Sequence, residues 1–316
     1  MNSEITKKLL KIVVLILLVS FSLDKIVFFA LNKISDEVMT GQAIGKLNHF
    51  LSLKDETNFL VFGNSRANHH INVNLFDDKA YNMGVDGIGI AYSSTLINTL
   101  EKEKKQLILV HIDTKNFFDK EYKGSDIRGL ITKYKRDLKI TKAIDHSGQL
   151  PGLQHFFYSM NYNRNAIGIV KNFLKPSYDH TAYNGYDPLA VSSSQQAMRD
   201  TILSKNLIDE NCSTYDSTNP VALNYLKSIL SFINKSPNKT YIFLTSPLYN
   251  DTCKTDNIIL NEIMQDLGLT YWDFSDLYQT NKDNSYWKDL THMSKKGAEA
   301  FSKHLREKYE KEIDRL

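Results

Sequence analysis

The pattern of apolar and polar positions divides the chain into three regimes. Near the N-terminus a single apolar block dominates, Ile12-Val-Val-Leu-Ile-Leu-Leu-Val-Ser-Phe-Ser-Leu23. Its uncharged core of 12 residues is about 18 Å long as a helix, short for a bilayer interior of about 30 Å. Extended from Leu9 to Leu31 the segment is long enough. Lys11 then lies at one interface and Asp24-Lys25 near the other, where long side chains can reach water.

From position 59 onward, short apolar runs alternate with stretches of helical periodicity. Strands are predicted at 59–62, 79–82, 106–112, 240–245 and 270–274. Helices are predicted at 90–104, 220–234, 257–267 and 295–309. Leu96, Ile97 and Leu100 share one face of the first helix, and Leu223, Leu226, Ile229, Leu230 and Phe232 recur at helical spacing in the second. Such alternation specifies an α/β fold, a parallel sheet with helices on both faces. Ligands of these sheets bind beyond the carboxyl ends of the strands. Ser65, Gly84 and Asp113 each follow one of the first three strands and so share that edge.

The alternation lapses over about 114–215, which is rich in aromatics (Phe117, Phe118, Phe156, Phe157, Tyr158, Tyr162, Tyr178, Tyr183, Tyr186). Two readings stand for it. It is a partly helical insertion over the active-site edge whose tyrosines stack on sugar rings, or a tyrosine-rich structural subdomain. The resulting division is an N-terminal signal anchor or transmembrane helix over 1–33, a juxtamembrane linker over 34–57, and an α/β domain over 58–316 containing the insertion.

Composition adds three constraints. A net charge of +3 with no basic, aromatic-interleaved block gives nucleic-acid binding no support. Cys212 and Cys253 are the only cysteines and form no CxxC pair, so neither a zinc site nor any other metal or cofactor is expected. They are one disulfide of an extracytoplasmic domain or two free thiols. Lys7, Lys8 and Lys11 ahead of the apolar block favour a cytoplasmic N-terminus, with the remainder of the chain outside. Apolar character resumes at Ile26-Val-Phe-Phe-Ala-Leu31, which favours an uncleaved anchor over a signal peptide cut near Ser20 or Ser22.

The candidate chemistry lies at two distant places. Phe62-Gly63-Asn64-Ser65-Arg66 follows the first strand, and Asp289-Leu-Thr-His292 precedes the last helix. A serine hydroxyl is a weak nucleophile unless a base takes its proton and an acid holds that base in the right tautomer. Ser65 is the candidate nucleophile, His292 the base and Asp289 its orienting acid. Each has a structural alternative: a helix cap for Ser65, a capping or surface histidine, a solvated loop acid. Gly84 is a candidate backbone donor to an oxyanion or a plain turn glycine, and Asn82 a brace for its loop. His69, His70 and His111 have neither the spacing nor the carboxylates of a metal site and read as active-site lining or polar filler.

These residues resemble the SGNH (GDSL-type) hydrolases. Gly63-Asn64-Ser65 stands where that family carries Gly-Asp-Ser, Asn82-Met-Gly84-Val-Asp-Gly87 is similar to its second block, and Asp289 and His292 match its terminal Asp-x-x-His. The third block, Gly-x-Asn-Asp in the family, is altered. Ile112-Asp113-Thr114-Lys115-Asn116 lacks the glycine and displaces the asparagine, leaving Asn116 as the candidate side-chain oxyanion donor. The resemblance covers about 60–110 and 240–312. It implies a flavodoxin-like three-layer sandwich with a parallel central sheet. With the anchor, it is similar to the extracytoplasmic branch of polysaccharide O-acetylation and teichoic-acid D-alanylation. The implied function is serine-dependent O-acyl transfer or O-acyl ester hydrolysis, of acetyl, on cell-envelope polysaccharide. The implied partners are the glycan and a multispanning membrane O-acyltransferase. The alternatives are a tethered lipase or esterase, and a catalytically degenerate carbohydrate-binding or scaffold protein.

Overall fold

The computed structural model describes residues 3–176, 182–205, 218–280 and 282–313, without the Asn116 side chain. Five strands form one sheet: β1 (Phe59–Phe62), β2 (Ala80–Asn82), β3 (Gln106–His111), β4 (Lys239–Thr245) and β5 (Tyr271–Asp273). Their order is β2-β1-β3-β4-β5 and every pairing is parallel. The chain leaves β1 to one side for β2 and to the other for β3, so the order reverses beside β1. That is where a doubly wound sheet opens a crevice at its carboxyl edge, and Ser65 lies just beyond the end of β1.

Both faces of the sheet are buried, as the near-continuous apolar strands require. On one face Leu60, Phe62, Ile108, Val110 and Phe243 pack in a core with residues of α2 (Lys46–Leu53), α4 (Ile90–Ile97), α9 (Pro220–Ile233) and α10 (Lys254–Asp266). On the other, Val61, Leu109, Ile242 and Leu244 pack against α3 (Ser65–His70) and α11 (Lys295–Ile313). Each such side chain contributes about 1.5–3 kcal/mol when fully buried. The start of α9 is set locally: Pro220 occupies its first turn, and the Asn219 side chain accepts from the N–H groups of Val221 and Ala222.

The expected strands and helices are all present, with shifted ends. Helix α4 stops at Ile97, because 98–100 turn back with Thr99 N–H bonded to the Leu96 carbonyl. Residues 34–57 contribute α2, whose Leu47 and Phe50 are fully buried in the sheet core. Phe117 and Phe118, at the end of α5 (Thr114–Phe118), also belong to that core. Tyr162 and Tyr186 are buried by packing, and Tyr178 lies outside the described residues. Among the described residues, no tyrosine of the insertion lines the cleft at Ser65, contrary to the stacking-lid expectation.

Helix α1 (Ser3–Glu37) has 35 residues, with mean hydropathy 2.5 over its most apolar window, long and apolar enough to cross a membrane. At about 1.5 Å per residue it is about 52 Å long, well beyond a bilayer interior. Its C-terminal part docks on the domain. The Asp24 carboxylate accepts from the N–H groups of Tyr158 and Ser159, both at 2.9 Å, and from the Ser159 hydroxyl at 2.6 Å. Phe28 packs with Tyr162 and Ile169 in a separate small core.

Gly63 turns the chain from β1 into α3 at a φ of 146°. A Cβ there would meet the His111 Cβ at 2.7 Å and the Ala67 Cβ at 2.9 Å. Gly63→Ala should therefore lower the unfolding midpoint by about 1–3 kcal/mol or more. Gly87→Ala, at a φ of 71° with open space around it, should cost less. Equal midpoints for the two variants in thermal unfolding would refute the close-approach account.

Candidate functional site

Ser65 is the first residue of α3, and Asn64 caps that helix by accepting from Arg66 N–H at 3.0 Å. The Asn64 amide also donates to Asp113 at 2.7 Å, fastening the end of β1 to the end of β3. Across the cleft, the loop before α11 presents His292. Its Nε2 lies 2.9 Å from Ser65 Oγ, and its Nδ1 lies 3.0 and 3.1 Å from the two Asp289 carboxylate oxygens. A carboxylate only accepts, so Nδ1 carries the proton and Nε2 is free to accept from the serine hydroxyl. The three residues separated by more than 220 positions thus form one hydrogen-bonded relay.

Asp289 is held as an anion. Burial works against its charge, but bonds from His292 and from the Thr291 N–H outweigh burial and hold its pKa below the usual carboxylate range. Asp289 Oδ1 accepts from the N–H groups of Thr291 and His292, both at 2.8 Å, so the carboxylate also shapes the loop that carries its own partner.

A second set of buried groups positions this loop. Met293 N–H donates to His70 Nε2 at 3.0 Å. His70 Nδ1 must then carry the proton and donate to Ser246 Oγ at 2.9 Å, and Ser246 donates onward to His111 Nε2 at 3.0 Å. Burial holds the pKa values of His70 and His111 well below the ordinary histidine value, with Arg66 adding to the effect. Both are therefore neutral structural links.

His69 differs from its neighbour. Its Nδ1 lies 2.6 Å from the Asp187 carbonyl and its Nε2 3.1 Å from the Asp86 carboxylate. Both partners only accept, so the ring donates twice and is an imidazolium. Burial opposes that charge, but Asp86 and Asp187 prevail and raise the pKa. The His69 ring stands edge-on to His292, with centroids 5.7 Å apart. Below this cluster, Lys46 is fully buried and donates to Asn68 at 2.6 Å and to the Gly84 carbonyl. Burial pulls its pKa down to about 7 against the opposing pull of Asp187 and Asp86.

Gly84 is not an available oxyanion donor. Its N–H is given to Asn82 Oδ1 at 2.8 Å, and a Cβ there would meet Asn68 N at 2.4 Å. Glycine is needed because the loop after β2 presses on the backbone of α3. Asn82 braces that contact as expected, donating to the carbonyls of Ala67 and Ile71. Asn116 lies in α5, and its side chain is outside the described residues. Cys253 is in a disulfide; Cys212 is outside the described residues. The His70–Ser246–His111 chain had no signature in the sequence beyond the residues themselves. The His-His pair after Ser65 was the one visible hint.

Ser65 and His292 open into a cleft of about 610 Å³, also lined by Arg66, Asp113, Phe118 and Asp251. Among the described residues, no group of three or more His, Cys, Asp or Glu side chains is arranged to hold a metal. Compared with known proteins, the chain matches no protein-family model and no curated protein.

The buried histidines set a pH dependence of stability. With folded pKa values depressed, His70 and His111 stay neutral in the fold while the unfolded chain protonates below about pH 6.5. Stability should fall between about pH 6.5 and 5, by up to about 1.4 kcal/mol per pH unit for each histidine. His69, with its pKa raised, gives a contribution already complete below about 6.5, so it adds no slope there. His111→Gln should flatten the decline of the unfolding midpoint between pH 7 and 5. An unchanged slope would contradict the neutral assignment.

Proposed function

We propose that the protein is an SGNH-type serine acyltransferase or acyl esterase acting on O-acyl groups, acetyl in the first instance, of a cell-envelope polysaccharide. The observation that carries this reading is the Ser65–His292–Asp289 relay, at 2.9 Å and then 3.0 Å, at the carboxyl edge of a parallel sheet. In the proposed cycle Ser65 Oγ attacks the ester carbonyl of the donor as its proton passes to His292 Nε2. The tetrahedral adduct collapses to an acyl-serine, and His292 returns the proton to the departing alcohol. A sugar hydroxyl or water then repeats the sequence in reverse. Ser65 N–H, at the head of α3 and not taken by the Asn64 cap, is the nearest backbone donor in sequence for the oxyanion. Helix α3 has only six residues, so its dipole adds little.

A binding module on a degenerate site is the second reading, favoured by one observation: the Gly84 N–H is spent on Asn82. Activity separates the two. A fluorophosphonate should label Ser65, and His292→Ala should lower turnover of an aryl acetate by about 10⁴-fold or more. Ser65→Ala/His292→Ala should be about as inactive as either single variant, because the residues act as one unit. Near-normal turnover in a folded His292→Ala protein would leave the binding module.

The same reading makes α1 an uncleaved anchor with the catalytic domain outside the cytoplasm, beside a multispanning membrane O-acyltransferase as acyl donor. Three observations support the placement. Residues 9–19 are exposed along an apolar helix. Ile167, Phe173 and Leu174 of α7 (Ala166–Leu174), beside α1, are exposed as well, as a surface seated against lipid would be. Cys253 is in a disulfide, which suits an oxidising compartment. The intact mass of the mature protein should include Lys7 and Lys8, and a C-terminal reporter that works only in the cytoplasm should be silent. A mature chain beginning after Ser22 would refute the anchor, and an active reporter would refute the topology.

A further inference from the structure

A groove of about 650 Å³ runs between the loop after β2 and the two 3-10 segments Ser125–Lys133 and Tyr158–Tyr162. Its volume lies within the roughly 300–1,000 Å³ of ligand sites. Its wall has an unusual defect. Asn161 is 3% exposed, and neither its Oδ1 nor its Nδ2 has a hydrogen-bond partner among the described residues. Gln154, 8% exposed, donates to the Met160 carbonyl while its Oε1 has no partner among them. Arg128 Nε, also in this wall, is buried and unpaired among them. Each buried polar atom left without a partner costs about 1–3 kcal/mol, and native folds keep few of them. Three residues with this defect in one groove imply that something entering the groove completes them.

We propose that this groove is a subsite for a neutral, hydroxyl-rich sugar unit of the acceptor glycan. A side-chain amide offers a donor and an acceptor side by side, and a sugar hydroxyl both gives and takes a hydrogen bond. The charges in the wall argue against a phosphate. Arg128 and Arg164 are matched by Asp86 and Asp126, leaving no net positive cradle. Asp126 is already occupied by the Tyr122 hydroxyl at 2.7 Å and by Gly89 N–H at 3.0 Å.

The groove also lies on the path to the nucleophile. Ile88, Gly89 and Tyr122 line both the groove and a small cavity that reaches Gly63, Asn64 and Asp113. Asp113 in turn lines the Ser65 cleft. A glycan bound in the groove would therefore run along the same sheet edge toward the acyl-serine. That consequence rests on the proposed acyl transfer; binding itself does not.

The test uses the full-length Ser65→Ala protein in detergent, so a failure of the acyl-enzyme reading leaves it intact. Probes are short neutral oligosaccharides of bacterial envelope types and phosphodiester-linked polyols, with binding measured by titration. At least one neutral oligosaccharide should bind. Asn161→Leu and Gln154→Leu should each weaken it about tenfold or more, while the unfolding midpoint of the free protein stays level or rises, because an unpaired buried amide has been removed. Binding that is undiminished in both variants would overturn the proposal, as would capture of the polyols alone or no neutral binding at all. A fall in midpoint with binding unchanged would mark the amides as structural and would also overturn it.

Discussion

The bond from Met293 N–H to His70 Nε2, 3.0 Å long, is the contact on which the site depends. Helix α3 carries Ser65 at its first position and His70 at its last. The loop carrying Asp289 and His292 ends at Met293. One buried histidine therefore ties the loop bearing the base to the helix bearing the nucleophile. The tie is directional, because His70 must keep Nε2 as an acceptor. Ser246 and His111 fix that tautomer from the other side. Burial makes the arrangement stable only while these rings are neutral. Relay geometry and pH response thus have one physical origin.

The fold was legible because a parallel sheet buried on both faces writes itself as short apolar runs. Phe59–Phe62 appears at the expected bounds, and Pro220 marks the start of α9. The relay was legible because Ser65, Asp289 and His292 have few ways to lie at a strand end and before a final helix. Contacts between residues far apart in sequence were not legible. Nothing local in Ser246 or His111 announces a bond to His70, and nothing in Lys46 announces that it lies under Gly84. Gly84 shows the same limit from the other side. Its presence was readable, but whether its N–H points at a ligand or at Asn82 depends on how tightly two backbones approach. The tyrosines of the insertion were ambiguous for a related reason. An aromatic that packs and one that stacks on a ligand leave the same mark in a sequence.

The long N-terminal helix is more than a tether. Asp24 accepts three hydrogen bonds from residues 158 and 159, and Lys133 and Arg136 pair with Asp36 near the end of α1. The junction between helix and domain is therefore made of fixed contacts at both ends of the docked stretch. A flexible linker would let the cleft sample many heights above a membrane; a docked helix of this kind sets one. The groove wall that holds Asn161 belongs to the same 3-10 segment that receives Asp24. Any glycan held there would sit at a defined distance from the anchor.

That rigidity bears on the choice between transfer and hydrolysis. An acyl-serine in this cleft would be open to water, since the His292 side chain is about a quarter exposed. Water at bulk concentration wins unless the competing hydroxyl is held in place. Positioning a reactant can raise its effective concentration by many orders of magnitude, up to about 10⁵ M or more in well-oriented cases. Confinement to one surface and capture beside the serine both act in that direction. The relay alone is equally suited to either outcome. Selectivity for transfer has to come from residues that hold the acceptor, and the unpaired amides of Gln154 and Asn161 are the groups in this fold with unspent capacity to do so.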